Sequence, residues 1–207
     1  MYKLPYFTEE DQEKVMAFMK ENSFAVVTGF GDEYPVATQL PLNVEIRDGE
    51  KIFLTGHLMK NTDHHKAFEK NKNVLAVFTG PHCYVSASWY DTPTPGASSW
   101  NYITVHAKGK IYFTDEAGTY QAISAITNKY EGTETIAAFD KLSDEYIQRL
   151  IKAIVGFEIE VTAIDNVFKL SQNHSEEIRR KIAAQLNKRA DDNSKVIAKE
   201  ILSRLTD

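Results

Sequence analysis

Apolar and polar residues alternate along much of the first 113 positions, which is the pattern expected of half-buried β-strands. A further alternating run follows at 155–164. Val85, Ala87, Val105 and Phe157 fall on the apolar sides of their runs, so we expect their side chains to be buried. The alternating runs cover residues 24–30, 35–46, 51–57, 73–80, 82–88, 102–113 and 155–164.

Helical periodicity appears in shorter stretches, at 7–23, at 61–72, from about 115 to 152, and in two segments after Ser175. Asp48-Gly49 between two apolar runs is a strong hairpin signal. Many short strands with few crossover helices predict an antiparallel, closed or partly closed barrel rather than a doubly wound sheet. We therefore expect a mainly β (α+β) chain with six to seven strands, peripheral helices and a C-terminal helical pair.

Charge and composition exclude several classes of protein. The net charge is −5, and residues 166–207 hold nine Lys/Arg against six Asp/Glu. An acidic body with a slightly basic tail does not favour nucleic-acid binding. No apolar run is long enough to span a membrane, and the first residues lack a signal-peptide core. With one cysteine and no internal disulfide, a cytoplasmic protein is expected.

Common catalytic motifs are absent, including the GxxxxGK[ST] phosphate loop, the GxGxxG fingerprint and the GxSxG elbow. Cys83 lies on the apolar side of a strand, which favours packing in the core over a reactive role. His57, His64 and His65 lie close in sequence, but no HExxH or CxxC spacing accompanies them. We therefore predict no metal site.

The stretch LTGHLMKNTDHH (54–65) carries a candidate phosphate site, where a strand ends and a helix is predicted to begin near Asn61. A helix N-terminus, the Lys60 ammonium and the Thr55 hydroxyl together suit a phosphate. A capped turn with an exposed lysine explains the same residues.

Aromatic residues flank the loop between the two strands at 82–88 and 102–113, namely Trp89, Tyr90, Trp100 and Tyr102. Aromatic side chains beside a loop suit either a flat ring system or a dimer contact. Together with the polar strand faces, they predict a wet, aromatic crevice shared between subunits that holds a phosphorylated heterocycle.

Seven motifs run through nearly the whole chain in one order: NSFAVVTG, PVATQLPL, LTGHLMKN, GPHCYVSASWY, SSWNYITVHAKGK, IVGFEIEV and KLSQN. In these motifs the chain resembles the PaiB family, described as transcriptional regulators within the FMN-binding split-barrel superfamily. The resemblance implies a split barrel over residues 1–165, followed by a helical extension over 166–207. It also implies a homodimer with FMN at the subunit interface.

The resemblance assigns the cofactor contacts residue by residue. Lys60 takes the place of the basic residue on the FMN phosphate, and the strand PVATQLPL lies along the isoalloxazine. The family usually has other residues at Thr62-Asp63-His64, at Ala97-Ser98-Ser99 and at His174. The implied cofactor-binding residues are Thr38, Gln39, Leu40, Thr55, Gly56, His57, Lys60, Asn61, Trp100, Asn101 and Thr104.

Three functions are open at this point: a flavin-dependent oxidoreductase, a flavin-linked regulator, and a negative transcriptional regulator that binds DNA or a protein partner. No helix-turn-helix is evident, and Asp191-Asp192 between the last two helices is unfavourable near DNA phosphates. His57, His82 and His106 are candidate proton donors. No residue can be assigned a catalytic role.

Overall fold

The computed structural model describes residues 1–2, 4–90 and 96–205, and these ranges hold seven strands and six α-helices. None of the described helices has the length and apolar character needed to cross a membrane. The strands are β1 (Phe24–Phe30), β2 (Pro35–Pro41), β3 (Asn43–Arg47), β4 (Lys51–Met59), β5 (Asn73–Val85), β6 (Ser99–Phe113) and β7 (Ile154–Lys169). The helices are α1 (Gln12–Glu21), α2 (Asp63–Lys70), α3 (Glu116–Glu131), α4 (Asp144–Ala153), α5 (Glu176–Asn187) and α6 (Asp192–Leu202).

The strands form one sheet in the order β2-β1-β5-β6-β7-β4-β3. β1 pairs antiparallel with β2 and β5, and β4 pairs antiparallel with β3 and β7. β2 and β3 lie at opposite ends of this order, yet the fully buried Leu42 alone joins them. The sheet therefore curls until its two ends meet, which confirms the mainly β split barrel.

The prediction of one continuous strand over 35–46 was wrong. The run is apolar and alternating throughout, but it breaks at Leu42 into two strands at opposite edges of the sheet. By contrast, the runs predicted at 73–80 and 82–88 join into the single strand β5 as far as Val85. Alternation of apolar and polar residues predicts that a segment is a strand, but it does not predict which other strand it pairs with.

The residues divide into two compact units, which are described separately below. The inner unit comprises residues 16–78 and 106–164, and the terminal unit comprises residues 1–15, 79–105 and 165–207. Buried side chains of the inner unit include Leu54, Leu58, Phe68, Phe78 and Phe157. Those of the terminal unit include Val167, Leu170, Ile182, Leu186 and Ile197. The predicted domain boundary at residue 165 stays a prediction.

Strand alternation predicted most of the chosen core positions. Val85, Val105 and Phe157 are at most 1% exposed, as expected. Ala87 is only half-buried, so its predicted burial was wrong. The strand ends before it, and Ala87 opens a 3-10 helix (Ala87–Trp89) that Ser86 caps through the Ser88 amide.

Cys83 is buried at 4% exposure, which confirms its place in the core. Burial raises the pKa of its thiol to about 11. Because the thiolate is the reactive form, we expect Ellman's reagent at pH 7.5 to modify native Cys83 at least about a hundredfold more slowly than the thiol of the urea-unfolded chain. The ordinary pKa is 9.0, so raising the pH from 9.0 towards 11 should also lower stability. Equal rates for the native and unfolded chains would contradict this prediction.

Candidate functional site

The eleven predicted cofactor residues fall into both compact units. Thr38, Gln39, Leu40, Thr55, Gly56, His57, Lys60 and Asn61 belong to the inner unit. Trp100, Asn101 and Thr104 belong to the terminal unit.

Lys60 lies in the turn after β4 and binds the C-terminal end of α4. Its backbone N–H donates to the Ala153 carbonyl at 2.9 Å, and its Nζ donates to the Ile151 carbonyl at 3.0 Å. A cation is favourable at a helix C-terminus, because the last carbonyl groups carry partial negative charge. Both acceptors are neutral carbonyls, so neither contact is an ion pair.

The N-terminus of α2 is capped by its own side chains. Thr62 accepts a hydrogen bond from the His65 amide, and the His64 amide donates to the Asp63 carboxylate at 2.7 Å. The Asn61 amide donates to His65 Nδ1 at 3.3 Å. Backbone N–H groups that were predicted to bind a phosphate are therefore already hydrogen-bonded within the turn, and the Asp63 carboxylate lies beside them. Among the donors predicted here to bind a phosphate, the Lys60 ammonium therefore remains the best candidate.

Thr55 belongs to a network of acidic and basic side chains on the polar face of β4. Its hydroxyl donates to Glu45 at 2.9 Å, and Arg47 bridges Glu45 and Glu158 at 2.8 Å each. Hydrogen bonds from both carboxylates raise the pKa of Arg47. An anion beside Thr55 would face two carboxylates and one guanidinium, so the electrostatics disfavour it.

His57 follows two residues later on the same face of β4 and is half-buried. Burial lowers its pKa, so the ring is neutral at pH 7. Within the described residues its buried Nδ1 has no hydrogen-bond partner. Such an atom is uncommon in a folded protein and identifies a place where a bound group could supply one. Between Thr55 and His57, Gly56 is buried, and a Cβ there would lie 3.0 Å from Phe157.

β2 is an edge strand, so one side of its backbone is not paired within the sheet. Thr38 and Leu40 are half-buried and oppose Val27 and Ala25, two buried residues of β1. Gln39 points to the other face and is exposed. Backbone contacts of the kind predicted for this strand are therefore available on its outer edge.

The outer face of β1 and β2 is largely apolar. Phe24 and Phe30 are 64% and 65% exposed at the two ends of β1, with Val26 between them on the same face. On β2, the exposed Pro35 and Ala37 lie on the same face, where Pro35 pairs with Phe30. We call Phe24, Val26, Phe30, Pro35 and Ala37 the outer apolar face. Two polar residues, Thr28 and Gln39, lie among them, so the patch is mostly but not wholly apolar. A mostly apolar patch on a sheet is typical of a protein contact.

In the terminal unit, Trp100 and Thr104 lie on one side of β6 and line a groove of about 290 Å³ with Thr79, His82 and Tyr102. Trp100 is 54% exposed, and its ring lies 6.2 Å from His82. Asn101 points the opposite way and is buried, with its amide donating to Ser171 at 2.9 Å. This contact gives Asn101 a structural role in the core of the unit.

Two of the aromatic residues that flank the loop after β5 pack against the C-terminal helical segment. Trp89 lies under the Arg189 guanidinium at 4.9 Å, and the Tyr90 ring lies 4.4 Å from His174. Both residues therefore stabilise the terminal unit, and Tyr90 is buried. Residues 91–95 of the predicted loop lie outside the described residues.

Sequence reasoning noted the KLSQN motif without finding its chemistry. The Nζ of Lys169 lies 2.5 Å from the Ser99 hydroxyl, about seventy residues away in sequence. Only the motif itself pointed to Lys169, because nothing in the local pattern predicts a hydroxyl partner from another strand. The described residues contain no group of three or more His, Cys, Asp or Glu side chains that could hold a metal.

Comparisons with known proteins identify the family of the chain. A family model described as "Putative FMN-binding domain" matches residues 1–163. The chain is 33% identical over 206 residues to the protease synthase and sporulation protein PAI 2 of Bacillus subtilis, covering 99% of this chain and 98% of that protein.

Solved structures show the same fold at low sequence identity. A flavocytochrome from Azotobacter vinelandii is 15% identical with a TM-score of 0.62, covering 81% of this chain and 72% of that chain. An FAD- and heme-binding protein from Mycobacterium smegmatis is 13% identical with a TM-score of 0.60, covering 78% and 73% respectively. These likenesses support the arrangement of strands.

Proposed function

The chain belongs to the PaiB family of FMN-binding split-barrel proteins, and from this membership we propose that it is a homodimeric flavoprotein that binds FMN. The main structural support for this proposal is the environment of the Lys60 ammonium. Within the described residues this half-buried ammonium donates to one neutral carbonyl, that of Ile151, and to no carboxylate, so it can take a phosphate without breaking an ion pair.

The residues of the turn after β4 fit FMN in part. Lys60 would hold the phosphate, the exposed Asn61 would assist, and the unpartnered Nδ1 of His57 offers a polar atom to a bound group. Thr55 is omitted from the proposed contacts because its hydroxyl is bound to Glu45. The contacts predicted for Thr38, Gln39, Leu40, Gly56, Trp100, Asn101 and Thr104 stay predictions.

Bound FMN would supply hydride and single-electron chemistry, and the protein would bind, orient and shield it. We propose redox activity as an oxidoreductase or as a flavin-linked regulator. A neutral His57 could hold or pass a proton at its ring nitrogens in either case.

The outer apolar face supports the homodimer. Phe24 and Phe30 lie six residues apart on one strand, a distance of about 20 Å, with Val26 and Thr28 between them on the same face. Covering it with a second copy would remove two largely exposed phenyl rings per chain from water. A twofold dimer buries the same face on both chains.

No observation favours DNA binding. Of the basic residues near the C-terminal helices, Arg179 is buried and Arg189 donates to the Tyr84 carbonyl while stacking on Trp89. Lys181 forms an ion pair with Glu177 at 2.9 Å. These side chains are already used within the terminal unit, so the DNA-binding alternative stays a prediction.

The proposed cofactor can be tested by adding FMN to the purified protein and following quenching of flavin fluorescence. We expect saturation at one FMN per chain. Anaerobic addition of a nicotinamide donor then separates the two redox roles, since rapid, repeated bleaching of the flavin is expected only of an oxidoreductase using that donor. Absence of quenching at micromolar FMN would contradict the proposal.

A further inference from the structure

Lys169 is a half-buried cation without an acidic partner. It lies at the end of β7 in the terminal unit, with its Nζ 2.5 Å from the Ser99 hydroxyl. The Tyr2 and Phe7 rings lie 5.9 and 5.8 Å from the same nitrogen. No carboxylate of the described residues forms an ion pair with it.

A second cation of the same unit shows the contrast. Arg204 is also half-buried, but its guanidinium binds Glu9 at 2.6 Å and Glu200 at 2.9 Å. Its charge is therefore compensated within the fold. Burying a charge without such compensation is costly, and burial alone lowers the pKa of Lys169. The uncompensated charge at Lys169 would be stabilised by an anion from outside the chain.

The hydroxyl of Ser99 adds a second donor. A charged lysine can only donate, so the Ser99 oxygen must accept the hydrogen bond from Lys169. The Ser99 proton is then directed away from the ammonium. Lys169 also retains two further N–H groups. The two donor atoms are 2.5 Å apart, so one carboxylate can accept from the ammonium with one oxygen and from the hydroxyl with the other.

We propose that Lys169 and Ser99 bind the carboxylate of a small aromatic acid, with its ring against Tyr2 and Phe7. The Lys169 ammonium and the Ser99 hydroxyl supply two neighbouring donors, which match the two oxygens of one carboxylate. The Tyr2 and Phe7 rings lie about 6 Å from the ammonium, within reach of a small acid bound there, and an aromatic acid would pack against them better than an aliphatic polar one. This site uses neither Lys60 nor flavin, so it stands independently of the proposed cofactor.

The probe is 4-fluorobenzoate, titrated into the full chain without flavin and followed by fluorine NMR. Lys169→Met keeps an unbranched stem against the rings and removes the charge, so affinity should fall about tenfold to a hundredfold. Lys169→Arg keeps the charge and should bind within about fivefold of the wild type. Ser99→Ala should weaken binding severalfold, whereas Lys199→Met, an exposed lysine on α6, should leave it unchanged.

Near-UV circular dichroism of each variant separates loss of the site from loss of the fold. Lys169→Arg provides a second test, because it keeps the positive charge and should therefore keep the binding. The neutral analogue 4-fluorobenzyl alcohol should bind at least about tenfold more weakly than the acid. Equal binding of the alcohol and the acid, or undiminished binding by folded Lys169→Met, would overturn the proposal. A loss of FMN affinity in Lys169→Met with no effect on 4-fluorobenzoate would also overturn it, since the site would then serve the flavin phosphate.

Discussion

Replacing Lys60 with alanine is expected to weaken FMN binding tenfold to a hundredfold and to leave riboflavin binding nearly unchanged. FMN differs from riboflavin by its phosphate, and a charge-assisted hydrogen bond to that phosphate contributes about 1.5–3 kcal/mol. Each 1.4 kcal/mol changes affinity by about tenfold. Flavin fluorescence quenching measures both ligands with both proteins. Lys66→Ala, an exposed lysine on α2, is the matched control and should bind FMN like the wild type.

The same substitution also removes the hydrogen bond from Lys60 to the end of α4. We therefore expect a loss of stability of about 0.3–1 kcal/mol, seen as a lower melting temperature without flavin. This loss affects FMN and riboflavin equally and is too small to explain the larger effect on FMN. If both ligands weakened by the same factor, Lys60 would support α4 alone.

Phe30→Lys is expected to convert the proposed homodimer into a monomer at micromolar concentration, raising the dimer dissociation constant by at least about a hundredfold. The ring is 65% exposed on the outer apolar face, so the single chain should fold normally. In a twofold dimer the substitution places a lysine on both sides of the contact, where each charge loses water without gaining a partner. Sedimentation equilibrium measures the change directly.

Ile136→Lys is the control for the dimer, because Ile136 is 96% exposed and lies outside the outer apolar face. It should leave the dissociation constant unchanged. A wild-type chain that sediments as a monomer at micromolar concentration would refute the homodimer. A dimer unaffected by Phe30→Lys would place the contact on another surface.

Local signals in the sequence predicted local structure well. Asp48 and Gly49 have positive φ angles of 50° and 84°, which the hairpin between β3 and β4 requires and which these residue types tolerate. Helical periodicity after Ser175 matches α5, which Ser175 caps through the Ile178 amide. Along β6, alternation correctly placed Ile103, Val105 and Ala107 inside.

Features that depend on distant partners could not be predicted in this way. Nothing in the run 35–46 signals that Leu42 separates two edge strands, because the break is set by curling of the whole sheet. The sequence also contained no sign that Asn101 donates a buried hydrogen bond to Ser171, which is seventy residues away. Polarity predicts that a side chain needs a hydrogen bond, and the fold decides whether another residue supplies it.

The candidate site shows the same limit. Sequence alone selected Lys60 and its strand-to-helix turn, because a basic residue before a helix is a local pattern. The acceptors of that lysine, the last carbonyls of α4, lie ninety residues further along the chain. Likewise, Thr55 donates to Glu45, and Arg47 donates to Glu158. Both contacts exist only because β3 and β7 flank β4 in the sheet.

The position of β4 between β3 and β7 has a consequence for synthesis of the chain. β3 pairs with β4 as soon as the hairpin at Asp48-Gly49 leaves the ribosome, but the other edge of β4 pairs with residues 154–160. During the translation of the roughly one hundred residues between them, that edge presents unpaired backbone groups and the side chains of Leu54 and Leu58 to other chains. Slow or interrupted elongation before residues 154–160 have left the ribosome should therefore favour aggregation of the nascent chain, whereas a pause after they have emerged should not.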